Sequence, residues 1–377
     1  MRDMTRLAAV VTACVLLASI PQAAATAGFQ APPGARIVEI NGNHRNGTAR
    51  FRIEAAGAKD VRVVVGSASA ADARPMAKDE KGIWTATLGP FAPDYYALAF
   101  ITDNVWRTAG YVHVTGPTPE AWDPRPVKHG TVHQHWYDSK TLGMFRSVWV
   151  YTPPGYEDSK ESYPILYLLH GSGGDEGSWV TDGMANLILD NQIADRRARP
   201  MIVVMPFGHT NPSPRAGVVP NFSGRDTAAF AKELTEEVLP SLERVYRVTR
   251  RADARAIAGL SMGGNHARLI GLQRLDLFHS IATFSGTVAV RSGEVTTDSL
   301  IDTYGPVLLD GEATHTELRL LWLAVGSEET RLLAQHKLLT DLLNRSAIKH
   351  TFVVEPGGHT WHVWRRNLRD LVALLFR

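Results

Sequence analysis

Gly259-Leu260-Ser261-Met262-Gly263-Gly264 is the stretch on which the reading of the fold turns. It follows the apolar run Arg255-Ala256-Ile257-Ala258 and precedes Asn265-His266-Ala267-Arg268-Leu269-Ile270, which suits a helix. A Gly-x-Ser-x-Gly placed between a strand and a helix is a nucleophile elbow. The flanking glycines let strand and helix approach closely, and the turn lifts Ser261 Oγ above the sheet edge at the positive end of the following helix. The competing reading is a glycine-rich turn with an incidental serine. What decides between them is whether the rest of the chain supplies the partners a serine nucleophile needs.

The first partner lies upstream. Leu166-Tyr167-Leu168-Leu169 reads as a buried strand and runs into His170-Gly171-Ser172-Gly173-Gly174. Acyl transfer requires two N–H groups aimed at the oxygen that becomes negative in the tetrahedral intermediate. Met262 N–H, just after the nucleophile, is one candidate, and Ser172 N–H, in the turn after the upstream strand, is the other. His170 closes a strand beside this turn and reads as structural rather than as the base.

The base is sought near the C-terminus. Thr351-Phe352-Val353-Val354-Glu355 has the β-branched and aromatic content of a strand, and Pro356-Gly357-Gly358-His359-Thr360-Trp361 follows as a loop. His359 therefore sits on a loop beyond a strand end. His362 falls inside the next predicted helix and is disfavoured. For the acid, Leu320-Leu321-Trp322-Leu323-Ala324-Val325 is an apolar run of the buried parallel type, ending in Gly326-Ser327-Glu328-Glu329-Thr330. Glu328 or Glu329 could orient His359, while the other caps the helix that begins near Leu332. The residues alone leave that choice open.

With these residues in place, the chain resembles the esterase-D-type branch of the α/β-hydrolases. That branch includes the feruloyl and acetyl-xylan esterases of carbohydrate esterase family 1, the enterochelin esterases and the mycolyltransferase antigens. The resemblance rests on Val150-Tyr151-Thr152-Pro153-Pro154-Gly155-Tyr156, on Tyr163-Pro164 through His170-Gly171 and on the elbow itself. Asp276-Leu277-Phe278, Phe284-Ser285-Gly286, and Gly357-Gly358-His359-Thr360-Trp361 with Trp364-Arg365 extend it. It implies Ser261 as nucleophile, His359 as base, and Ser172 and Met262 as the oxyanion hole. The family's acid lies in a Gly-x-x-Asp loop, which here falls on Gly326-Ser327-Glu328-Glu329 and so implies Glu329. This departs from the commoner Asp and matches the mycolyltransferase pattern, with Glu328 still in play.

The N-terminus reads differently. Arg2 and Arg6 precede an apolar stretch from Leu7 to Ile20 and then Ala23-Ala24-Ala25-Thr26-Ala27, the pattern of a signal peptide over residues 1–27 with cleavage after Ala25 or Ala27. The apolar core is shorter than the roughly 20 residues a membrane span needs. Export to the periplasm or the exterior is expected. Cys14 is the only cysteine; the apolar run continues past it, which argues against lipid anchoring there, and no disulfide or thiolate metal site is available. Lys plus Arg number 40 against 38 Asp plus Glu, so there is no basic field to suggest a nucleic-acid partner.

Residues 116–126, Gly116-Pro117-Thr118-Pro119 through Pro124-Arg125-Pro126, read as a proline-rich linker. Ahead of it, over 36–115, short strands at Arg50–Glu54, Val61–Val65, Gly82–Leu88 and Tyr95–Phe100 predict an all-β sandwich. This part resembles the early-set, immunoglobulin-like modules akin to carbohydrate-binding module 48. Trp84, Tyr95, Tyr96 and Trp106 are then assigned to its core rather than to sugar stacking. Behind it, 127–377 predicts a mostly parallel sheet flanked by helices, the α/β-hydrolase fold. Its strands are expected at 146–152, 165–169, 201–205, 256–258, 281–284, 320–325 and 352–354, with helices at 227–246 (kinked at Pro240) and 332–346.

The expected activity is hydrolysis of a small-molecule or polysaccharide-linked ester through an acyl-enzyme, with feruloyl and acetyl as the acyl groups considered. Neither metal nor cofactor is called for. Trp179, His266, Trp361 and the loop 207–225 are candidate substrate contacts. A siderophore-type esterase or an acyltransferase would share the same triad. An inactive carbohydrate-binding protein on this scaffold is the reading of a different class. Oligomeric state is not legible.

Overall fold

The structure, a computed structural model, describes residues 35–66, 69–213, 226–288, 294–309, 314 and 316–377. The expected leader, Cys14 and positions 214–225 of the expected substrate loop lie outside the described residues. The chain divides into two compact units, Met1–Val114 and Thr115–Arg377.

The described residues of the first unit are built of β-strands, with two short 3-10 turns and no α-helix. Its strands are β1 (Arg36–Asn41), β2 (Ala49–Glu54), β3 (Val61–Val65), β4 (Arg74–Pro75), β5 (Ala77–Lys78), β6 (Ile83–Leu88), β7 (Asp94–Thr102) and β8 (Val105–Val114). They form two antiparallel four-stranded sheets, β1-β2-β6-β5 and β4-β3-β7-β8. In β2, Ala49, Phe51 and Ile53 are buried and the intervening Arg50, Arg52 and Glu54 are not, the period of two that a half-buried strand imposes. These residues share one core with Val61, Val63 and Phe100 of the other sheet. Trp84 joins it and satisfies its indole N–H on the Ala55 carbonyl at 3.0 Å.

The second unit carries β9 (Thr131–Ser139), β10 (Met144–Thr152), β11 (Ile165–Leu169), β12 (Ile202–Pro206), β13 (Arg255–Leu260), β14 (Ser280–Phe284), β15 (Leu320–Gly326) and β16 (Thr351–Glu355). They make one eight-stranded sheet in the order β16-β15-β14-β13-β11-β12-β10-β9. The pairs β9/β10 and β10/β12 are antiparallel and the rest are parallel. Every residue of β11, β12, β13 and β14 is buried, as required where helices cover both faces of a parallel sheet. β9 has no counterpart among the strands expected from sequence. It is an edge strand rich in His, Gln and Asp, so the apolar run that marks an interior strand is missing.

The helices are α1 (Ser178–Thr181), α2 (Ala185–Ala194), α3 (Thr227–Glu233), α4 (Leu239–Val245), α5 (Met262–Gln273), α6 (Thr297–Leu309), α7 (Thr330–Arg345) and α8 (Trp361–Val372). Between α3 and α4 the chain makes one π-helical turn over Leu234–Val238. The helix expected over 227–246 is therefore widened just ahead of Pro240 rather than simply bent at it. Proline has no N–H for the preceding turn and its ring crowds the carbonyl four residues back. The proline-rich segment 116–126 lies against α2. Trp122 is buried, and Asn191 Nδ2 donates to the Ala121 and Asp123 carbonyls at 2.8 and 2.9 Å. Among the described residues no helix is long and apolar enough to cross a membrane.

The parallel strands position the chemistry. Loops leaving the carboxyl ends of β11, β13, β14, β15 and β16 all open on one edge of the sheet, where open α/β sheets build their sites.

Candidate active site

Ser261 occupies the turn between β13 and α5 with φ 51° and ψ −115°. A non-glycine residue held there carries strain of roughly 1–3 kcal/mol, so its surroundings must enforce the conformation. Ser261 N–H donates to the Phe284 carbonyl at 2.9 Å and Ser261 C=O accepts from Asn265 N–H at 3.1 Å. The glycines make the crossing possible. A Cβ on Gly259 would come within 2.5 Å of the Gly263 backbone, and one on Gly263 within 2.4 Å of the His170 carbonyl. Although Ser261 stands at the N-terminus of α5, its side chain makes no cap hydrogen bond. The hydroxyl is engaged elsewhere.

Its partner is His359, whose Nε2 is 3.0 Å from Ser261 Oγ. His359 Nδ1 lies 2.6 Å from Glu329 Oε1, so Nδ1–H donates to the carboxylate and Nε2 is left to accept the serine proton. Glu329 is buried and its other oxygen accepts Ser285 Oγ–H and Gly326 N–H, both at 2.6 Å. Burial raises the Glu329 pKa, but hydrogen bonds from His359, Ser285 and Gly326 outweigh it and hold the carboxyl below its usual range. Glu328, one residue earlier, is exposed. Of the two glutamates, only Glu329 bonds to the imidazole. β15 ends at Gly326 and α7 starts at Thr330, and in the turn between them Glu328 is left exposed while Glu329 is buried.

The turn after β11 lies directly against the elbow. A Cβ on Gly171 would stand 2.5 Å from Leu260 Cδ1 and 3.2 Å from Ser261 Cβ. Ser172 N–H follows in this turn, and Met262 N–H opens α5 on the other side of the serine. His170 is buried with both ring nitrogens in use. Gly208 N–H donates to Nε2 at 2.8 Å and Nδ1 is 2.8 Å from the Gly171 carbonyl, so Nδ1 carries the proton. Burial pushes its pKa down to about 4, which keeps it neutral. A trans peptide points its C=O and N–H in opposite directions. His170 Nδ1–H and Gly174 N–H, the latter at 3.1 Å, together hold the Gly171 oxygen and so set the direction of Ser172 N–H.

Two clefts meet at Ser261 and His359. One, of about 280 Å³, is lined by residues 171–174 with Ser178, Asp182, Leu260, Trp361 and Trp364. The other, of about 500 Å³ and more open, adds Thr287, Glu328, Arg331, Leu332 and Gly358.

The substrate-contact expectations divide. Trp361 lines the smaller cleft. Trp179 does not: it is 1% exposed, donates its indole N–H to the Leu169 carbonyl at 3.0 Å and packs edge-on against Trp361. His266 is also 1% exposed, stacked on Phe230 of α3 with its pKa driven by burial to about 3. Its place in the second turn of α5 turns it toward α3 rather than toward the cleft. Both are therefore corrected from substrate contacts to packing residues. His362, the rival base, lies inside α8.

Two residues of the site have no role assigned from sequence. Ser285, in the Phe284-Ser285-Gly286 stretch at the end of β14, donates to Glu329 and accepts Trp364 Nε1–H at 3.1 Å. Trp364 in turn stands edge-on to His359 with ring centroids 4.9 Å apart. The signal for Ser285 was its place at a strand's carboxyl end. Ser285→Ala is expected to lower kcat roughly tenfold, the kinetic equivalent of the ~1.5 kcal/mol a hydrogen bond to a charged group contributes. Steady-state hydrolysis of p-nitrophenyl acetate, normalised to titrated active sites, checks it.

Serine, imidazole and a buried carboxylate in hydrogen-bonded series are the arrangement that enzymes of nucleophilic acyl transfer use. The esterase family model matches residues 139–375, and the chain belongs to this family. It is 30% identical over 368 residues to the endo-1,4-beta-xylanase/feruloyl esterase of Xylanibacter ruminicola, covering 92% of this chain and 46% of that protein. The chain spans about half the length of the curated relatives it matches. Among solved structures, the ferulic acid esterase of Anaeromyces mucronatus, from carbohydrate esterase family 1, has a TM-score of 0.56 at 24% identity, over 69% of this chain and 96% of that one. The enterobactin esterase of Shigella flexneri has a TM-score of 0.62 at 17% identity, over 90% of this chain and 95% of that one. These likenesses establish the α/β-hydrolase fold of the second unit.

Proposed function

We propose that this protein is an exported serine carboxylesterase with Ser261, His359 and Glu329 as its triad, acting on hydroxycinnamoyl (feruloyl-type) esters of plant polysaccharide or oligosaccharide. The observation that carries the activity is the unbroken series Ser261 Oγ, His359 Nε2, His359 Nδ1 and Glu329 Oε1 at 3.0 and 2.6 Å. His359 takes the proton as Ser261 Oγ attacks the ester carbonyl. The oxyanion is received by Met262 and Ser172 N–H. The C–O bond to the alcohol then breaks, and His359 returns its proton to the leaving oxygen. Water repeats the sequence on the acyl-enzyme, releasing the acid and restoring Ser261.

The acyl preference is supported by the smaller cleft, where Trp361 and Trp364 offer aromatic walls for a flat phenolic acyl group. The name of the Xylanibacter relative agrees with it. The described lining of the wider cleft sets Arg331 beside Glu328 and Glu329, a charge balance that disfavours an anionic catecholate siderophore.

Hydrolysis of methyl ferulate and p-nitrophenyl acetate by the full chain tests the reading. Turnover of both supports feruloyl specificity. Turnover of the acetate alone moves the substrate to acetylated polysaccharide, and turnover of neither overturns the esterase.

A further inference from the structure

A fully buried charge pair of the second unit stands apart from the acyl-transfer groups. Arg146 on β10 and Glu233 at the end of α3 are both 0% exposed. Arg146 Nε and Nη2 donate to Glu233 Oε1 and Oε2 at 2.9 and 2.8 Å. The remaining donors reach three backbone carbonyls of one turn: Nη2 to Phe207 at 2.6 Å, and Nη1 to His209 at 2.6 Å and Asn211 at 2.9 Å. All five guanidinium N–H groups are thus committed. Desolvating two charges offsets most of what their attraction contributes, so stability alone is a weak reason for such a pair. What it does supply is geometry: a rigid planar fork that fixes three carbonyl oxygens at once.

One of those carbonyls belongs to the peptide that holds His170. Phe207 C=O and Gly208 N–H are the two ends of a single trans peptide and point in opposite directions. Arg146 holds the oxygen, and Gly208 N–H is thereby aimed at His170 Nε2, 2.8 Å away. The same logic then repeats across the ring. His170 Nδ1–H holds the Gly171 oxygen with the shorter of its two hydrogen bonds, 2.8 Å against 3.1 Å from Gly174 N–H, and Ser172 N–H is aimed the other way. Phe207 packs the relay together, with the Arg146 guanidinium 5.1 Å from its ring centroid on one contact and the His170 ring stacked at 5.4 Å on another.

We propose that the Arg146–Glu233 pair is a positioning device for the oxyanion hole, acting through the Phe207–Gly208 peptide and His170 on the Gly171–Ser172 peptide. The proposal rests on the esterase reading for its catalytic consequence, while the relay itself can be observed without turnover.

The test is Arg146→Lys in the full chain. A lysine keeps a positive charge beside Glu233 but cannot span three carbonyls as the fork does. The first readout is 15N NMR of histidine-labelled protein, with the His170 signals assigned by their loss in His170→Asn. The wild type is expected to show His170 protonated at Nδ1 alone, with a slowly exchanging Nδ1–H. In Arg146→Lys that proton is expected to exchange at least tenfold faster. The second readout is hydrolysis of p-nitrophenyl acetate per titrated active site. Removing one oxyanion donor outright costs about 10²–10³ in kcat, so a misaimed one is expected to cost about 10–10² with KM changed less than twofold. Affinity for a trifluoromethyl ketone, which forms a tetrahedral adduct on Ser261, is expected to fall by the same factor. Unchanged His170 exchange overturns the relay. Changed exchange with unchanged kcat overturns its catalytic role. Absence of Ser261-dependent turnover in the wild type overturns the esterase reading and leaves the NMR result to decide the relay. Should Arg146→Lys not fold, the double variant Arg146→Met/Glu233→Leu removes both charges together and takes the same measurements.

Discussion

Ser261→Ala is expected to lower kcat on methyl ferulate by on the order of 10⁶-fold, the loss typical when a triad serine is removed. The backbone at residue 261 is no harder for alanine than for serine, because the strain at φ 51° concerns the shared Cβ. The hydrogen bonds that enforce the turn are backbone to backbone and survive the substitution. Stability in urea should therefore stay close to that of the wild type, and ferulate should still bind. A folded variant that retains more than about 10⁻³ of wild-type turnover would remove Ser261 as nucleophile.

Glu329→Gln should cost about 10⁴-fold in kcat, whereas Glu328→Gln should change it less than twofold. The reason is tautomeric. Glu329 Oε1 accepts the proton on His359 Nδ1 and leaves Nε2 free for Ser261. An amide NH₂ at that place would donate to Nδ1, move the ring proton to Nε2 and deprive the serine of its base. Glu328 is exposed and bears on none of this. A pH signature accompanies the kinetics. Because the folded-state pKa of Glu329 lies below its unfolded value, ionised Glu329 adds stability that is full above the ordinary carboxylate range. That contribution is lost as pH falls through the folded-state pKa. Urea titrations of wild type and Glu329→Gln at several pH values should show the wild type losing stability with acid more steeply than the variant. Equal kcat losses for the two glutamates would sink the assignment of Glu329.

Much of the second unit was legible in the chain because its interior strands are buried on both faces. Burial on both faces demands unbroken apolar runs such as Ile165–Leu169 and Leu320–Val325, which need no partner to be recognised. The elbow was legible for a similar reason, since only glycine tolerates the approach at 259 and 263. β9 was not, because an edge strand facing water has no such compositional mark. Trp179 and His266 were misplaced for a related reason. Proximity in sequence to a functional loop says which element a side chain rides on, not which way that element faces.

The sequence by itself determined the kind of sheet and marked Ser261, His359 and the turn at Gly171–Ser172 as the candidates that sheet would bring together. Each of these is a local demand: a turn that admits only certain residues, or a run that must be dry. Only the tertiary structure set Glu329 rather than Glu328 against His359, gave Ser285 a partner, buried Trp179 and His266, and brought Arg146 and His170 onto the same turn at Phe207–Asn211. Those outcomes depend on where side chains from distant elements converge. Directions in space are set by the packing of helices on the sheet, which no short stretch of chain specifies.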